Sequence, residues 1–232
     1  MKTLRQLRNP MLLSAAVASI VVVCASTASA QAGARPGAAP SAAALIAGWP
    51  ATDRGEATAV LDSARDAGLP VAPLRAKIAE GIAKDAPPAT IVNVVRRLYA
   101  SLRTARQTLG TRIGEPELVA AAAALQSGVA PAQLRALRVS ISADRSATEL
   151  FVVLTDLTHR GVTAEESVGA LTRLARAGAN DATLVQLRFD VAKDVAAGVP
   201  AQSAVSRRTN DYVSRGLPPP EDPVPPPAPD GR

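Results

Sequence analysis

Histidine occurs once in the 232 residues, at His159, and cysteine once, at Cys24. A zinc site needs several such ligands at short spacing, so the usual Cys/His type is excluded. Aromatic side chains are almost as scarce: Trp49, Tyr99, Phe151, Phe189 and Tyr212 are all there are. That removes the aromatic clusters that favour strands and the stacking platforms of single-strand nucleic-acid binders. No glycine loop for phosphate, no serine nucleophile elbow and no acidic run with calcium-loop spacing occurs. No cofactor is therefore expected, and the chain does not read as an enzyme.

What is present begins with a secretory signal. Lys2, Arg5 and Arg8 form a basic start, Met11 to Val23 is apolar apart from Ser14 and Ser19, and Ala28-Ser29-Ala30 is a small-x-small cleavage site. The apolar run is well short of the ~20 residues a membrane-spanning helix needs. Cleavage before Gln31 and a periplasmic or secreted location are expected, with a retained N-terminal membrane anchor as the alternative. Val21-Val22-Val23 before Cys24 fits lipoprotein processing poorly. The exported chain then has no cysteine, so packing rather than a disulfide must stabilise it. The whole sequence carries 26 basic and 20 acidic residues, net +6. Three of the basic residues lie in the signal, and the small excess left gives no case for a nucleic-acid partner.

Four regions follow: signal peptide 1–30, a flexible Ala/Gly/Pro linker 31–50, an all-α domain 51–216, and a proline-rich tail 217–232 expected to be disordered and polyproline-II-like. Eight of the tail's residues are proline, which removes backbone donors and fixes φ. Inside the domain one turn design recurs: Gly68-Leu69-Pro70, Gly128-Val129-Ala130-Pro131, Gly161-Val162-Thr163, Gly178-Ala179-Asn180, Gly198-Val199-Pro200 and Gly216-Leu217-Pro218. Glycine takes the left-handed position that ends a helix, the apolar residue folds back, and Pro, Thr or Asn opens the next helix. The spacing predicts an array or irregular bundle of antiparallel helical hairpins joined by Gly-apolar-Pro/Thr turns, with eight or nine helices. Capping boxes are expected at Asp53/Glu56, Ser146/Glu149 and Thr163/Glu166. Apolar stripes at three- and four-residue steps (Ile91, Val94, Val95, Leu98, Leu102, Ala105, Leu109; Val168, Leu171, Leu174; Leu184, Leu187, Val191, Val195) read as core.

The segment from Gly68 through Pro70, Pro73, Leu74, Lys77, Glu80 and Gly81 to Lys84 resembles a stretch shared by uncharacterised exported Ala-rich helical proteins of bacteria. The resemblance covers roughly 40 residues and implies a helical fold and export. It attaches no activity and transfers no site.

The one candidate site is electrostatic. Arg96, Arg97, Arg103 and Arg106 crowd the polar side of one helix and form a possible anion- or partner-binding face. Arg135 with Arg138 and Arg207 with Arg208 are weaker clusters. His159 is expected to favour a helix C-terminus, Glu165 and Glu166 a helix first turn, and Trp49 to anchor the first helix. The function expected is that of a non-enzymatic exported protein acting through a protein–protein surface. The alternative is a peripheral binder of anionic lipid or envelope polysaccharide through the arginine face. The third is a hydrolase whose carboxylates converge in an unfamiliar cleft. The partner's identity and the oligomeric state do not follow from the residues.

Overall fold

The computed structural model describes residues 42–215; the signal peptide, the tail and the Gly216 turn lie outside them. Among the described residues every regular element is a helix, and there are ten: α1 Ala42–Leu45, α2 Ala51–Asp66, α3 Ala72–Ala83, α4 Pro88–Leu109, α5 Glu115–Gln126, α6 Pro131–Arg138, α7 Thr148–His159, α8 Ala164–Arg176, α9 Asp181–Ala196 and α10 Ala201–Arg215. The domain is all-α. No described helix is long and apolar enough to cross a membrane.

The long helix α4 packs against α2 and α3 on the N-terminal side and against α5 and α6 on the other. Beyond it the helices fall into two rows. In one, α5 packs on α7 and α7 on α9; in the other, α6 packs on α8 and α8 on α10. The rows touch where α5 meets α6, α7 meets α8 and α9 meets α10. Between them lies the core, with Phe151 of α7 fully buried among Leu150, Leu154 and Leu157. On α5, Leu118, Ala120, Ala121, Ala122 and Ala124 are buried. Methyl-sized side chains let α4 and α7 approach this helix closely, and alanine costs no side-chain entropy in helical form. In α4 the stripe is Ile91, Val92, Val95, Leu98, Leu102 and Ala105. Val94 and Leu109 are only half-buried at its margins, and Val92, which the spacing passed over, is buried.

Among the described residues six glycines stand at positive φ: Gly110 after α4, and Gly68, Gly128, Gly161, Gly178 and Gly198 in the recurring turn. At Gly161 (φ 88) the Gly161 amide donates to the Thr158 carbonyl and the Val162 amide to the Leu157 carbonyl. Val162 is then buried against the last turn of α7. This is the six-residue closure that satisfies a helix's free carbonyls, and it requires a conformation in which Cβ is costly. At the α3–α4 turn the same bonds form around Asp85, a non-glycine residue at φ 52.

Three expectations are corrected. Of the linker expected over 31–50 the described part, 42–50, is structured: α1 packs on α3, Ile46 is 1% exposed, and Trp49 is half-buried against the core. An isolated Leu-Ile pair in an Ala/Gly/Pro context gave too short an apolar pattern to register. Asp53 does not cap α2, because the helix already begins at Ala51 after Pro50. Ser146 accepts from the Thr148 amide, but the carboxylate it meets belongs to Glu117, not Glu149. At Thr163 the hydroxyl accepts from the Glu166 amide at 3.2 Å and donates to the Glu166 carboxylate at 2.8 Å.

Candidate functional site

The four arginines of α4 do separate jobs. Arg96 reaches across to α2 and pairs with Glu56 at 2.9 Å. The Arg103 guanidinium lies 5.9 Å from the centre of the Tyr99 ring, a cation–π distance. Arg106 donates to the Gly110 and Thr111 carbonyls and so caps its own helix. Arg97 is exposed, and at 100° per residue it stands well round the helix from the other three. The geometry brings Arg96, Arg103 and Arg106 to one side and gives each a local contact, of which only that of Arg96 is a counter-charge.

The other arginine pairs fasten helices. Arg135 of α6 donates to the Thr108 carbonyl at the end of α4. Arg138 pairs with the buried Glu117 of α5 at 2.8 Å and donates to the Ser142 and Ala143 carbonyls. Glu117 in turn accepts from the Ala147 amide at the start of α7. Arg207 and Arg208 of α10 both meet Asp194 of α9, Arg208 through two bonds of 2.7 and 2.8 Å. These bonds, Arg208 first, hold the Asp194 carboxyl far below the usual carboxylate range. Nearby, the Tyr212 hydroxyl donates to Asp190 at 2.6 Å, and burial together with that bond pushes the phenol well up. Asp190 facing Tyr212 and Asp194 facing Arg208 also show that α9 and α10 run antiparallel. Between α7 and α9, Arg188 meets Glu149 at 3.5 Å and Asp156 at 3.9 Å; burial raises the Glu149 carboxyl. Carboxylates thus converge twice, and both times they are held by arginine. Buried ion pairs of this kind fix which helices meet more than they add to stability.

The motif between Gly68 and Lys84 also serves packing. Glu80 accepts from Lys77 and from Lys84, each at 2.6 Å, which lowers its carboxyl to about 2. A Cβ on Gly81 would stand 2.6 Å from the Ile91 side chain, so α3 and α4 meet through a gap only glycine leaves. Leu74 and Ile78 of the same motif are fully buried. His159 is exposed in the last turn of α7, and Glu165 and Glu166 occupy the first turn of α8.

One surface feature escaped the sequence reading. An open groove of about 840 Å³ runs between α8 and α10. Gly169, Ala170 and Val205 line its middle, Glu165 and Glu166 one end, Arg173 and Arg176 the other. The two helices are parallel and in register, since Glu166 accepts from Gln202 and Arg173 donates to Asn210. Glu165 and Arg176 have no ion-pair partner among the described residues. Eleven residues apart, they sit about 16 Å from each other along the helix. The groove joins segments 36 residues apart in the chain, so no local pattern announces it. No family model matches the chain, and neither a curated protein nor a solved structure matches it.

Proposed function

We propose that this is a non-enzymatic exported protein that acts through a protein–protein surface, and that the groove between α8 and α10 is that surface. The observation that carries the reading is its charge layout: a small-residue floor with an unpaired carboxylate at one end and an unpaired guanidinium at the other. A segment of a partner protein with opposite charges at matching separation would find both ends complementary, and charge complementarity of this kind sets register and orientation. A stack of antiparallel helical hairpins supports such use, because it offers long grooves between successive helices of one row. The carboxylate clusters are occupied in holding helices together, whereas this groove sets a carboxylate and a guanidinium outside any described ion pair at the two ends of one apolar floor.

The test is capture from envelope extract by the exported chain, residues 31–232, at low and high salt. The expected result is a protein retained at high salt by the parent and by the Arg96/Arg97/Arg103/Arg106→Ala variant, and lost in Glu165→Lys/Arg176→Glu. Equal retention by the groove variant sinks the reading. Retention of anionic lipid or polysaccharide alone, vanishing with salt and with the α4 arginines, replaces it with the peripheral-binder reading.

A further inference from the structure

We infer that the occupant of the groove between α8 and α10 is a second copy of this chain, docked through α8 in antiparallel orientation about a two-fold axis. The assignment rests on the groove being the interaction surface, and it names the partner.

Helix α8 packs on α6, α7 and α10. Its buried residues Ser167, Leu171 and Leu174 fix the inward side. At 100° per residue, Glu165, Gly169, Thr172 and Arg176 fall within about 60° of one another on the opposite side. Glu165, Gly169 and Arg176 are exposed and Thr172 is half-buried. Because α8 lies between α6 and α10 in its row, this stripe faces out from the flank of the stack and not off its end.

The stripe is complementary to its own reverse. Glu165 and Arg176 are centred on the point between Ala170 and Leu171, and so are Gly169 and Thr172. A second α8 laid antiparallel across that point sets each Glu165 carboxylate level with the other copy's Arg176 guanidinium. Each Gly169 then comes level with the other copy's Thr172. Any occupant of the groove has to bring a base to the Glu165 end and an acid to the Arg176 end, about 16 Å apart. The chain's own α8 carries that pair, at that separation and in that order. Glu166 and Arg173 add a second charge of the same sign at each end, on the α10 side. A two-fold interface uses one patch twice, so the patch has to match itself. Charge and size share one midpoint here, which a foreign partner would not require.

The middle of the stripe is shaped for close approach. Gly169 lies inside α8, where glycine weakens a helix relative to alanine. A Cβ there would meet nothing within 4 Å in its own chain. No neighbour inside the molecule needs the missing side chain, but a helix crossing at the two-fold axis does, since the side chains at a crossing set how near two axes come. The antiparallel sense also puts the positive N-terminus of each α8 beside the negative C-terminus of the other.

The experiment is sedimentation velocity on the exported chain, residues 31–232, over a concentration series, with circular dichroism showing each variant folded. The parent is expected to pass from monomer to dimer. Glu165→Lys alone and Arg176→Glu alone each set like charges together, and each should stay monomeric where the parent is dimeric. Mixed one to one, those two variants should form the dimer that neither forms by itself. The double variant Glu165→Lys/Arg176→Glu should regain self-association. Gly169→Gln should be monomeric, with a thermal midpoint no lower than the parent's. A parent that stays monomeric at millimolar concentration overturns the inference, as does a dimer indifferent to the single variants or one that the double variant fails to restore. If the parent is monomeric yet the double variant loses a protein captured from envelope extract, the groove keeps its role with a different protein as occupant. If the parent is monomeric and that capture is also unchanged, both readings fall.

Discussion

Two kinds of connection hold the C-terminal half of this domain together, and they rest on different physics. The turns at 127–130, 160–163, 177–180 and 197–200 are four residues each, close on themselves through backbone bonds, and need little more than glycine at positive φ and one apolar residue after it. The connection from α6 to α7, residues 139–147, has no such closure. It is tied from outside: Arg138 holds its carbonyls, Glu117 holds both Arg138 and the Ala147 amide, and Arg145 crosses to the Ala179 carbonyl at 2.6 Å and to Asp181 at 3.0 Å. The short turns are local and separable. The long connection is a shared knot in which one carboxylate serves three groups.

If that contrast is right, the costliest single change lies in the knot. Glu117→Ala leaves the Arg138 guanidinium half-sequestered without its counter-charge and frees the start of α7, and should cost about 3–4 kcal/mol in urea unfolding. A loss below that of the glycine variants would mean the connection is held by packing alone. Next comes Gly161→Ala, which forces a side chain into φ 88 where the added Cβ meets no neighbour. The penalty is then purely conformational, about 1–2 kcal/mol. The smallest effect has the opposite sign. Asp85→Gly at the α3–α4 turn relieves a left-handed non-glycine residue but loosens the unfolded chain, a net gain of about 0.5 kcal/mol. Thermal midpoints of the three variants, measured together, rank the two kinds of connection directly.

The same contrast explains what the sequence disclosed. The glycine turns were legible because each is complete within six residues, and the stripes on α4, α8 and α9 because helical period repeats within one element. Thr163 with Glu166 showed for the same reason. Glu117 did not: it reads as one more acidic residue in the first turn of α5, and its partners lie 21 to 30 residues away. The contacts of the α4 arginines were hidden for the same reason. Arg96, Arg103 and Arg106 share a side of α4 as the spacing implied, but Glu56, the Tyr99 ring and the carbonyls past Leu109 claim them one by one. The groove between α8 and α10 was invisible because its walls come from two segments brought together only by the packing of one helix row.

The two rows also bear on how the chain gains and loses its fold. Beyond α4 the main packing partners of each helix are its neighbours in its own row and one helix across the rows, so these contacts join residues within about one repeat of each other. Ordering a nearby pair costs little loop entropy, which favours fast folding from any internal pair outward. It also makes protection uneven. Amides of α5 and α7, with neighbours on both sides, should exchange with solvent last, whereas α9 and α10 open first. The stack is thus a graded ladder of opening energies, with its most easily released rungs at the end that carries Phe189.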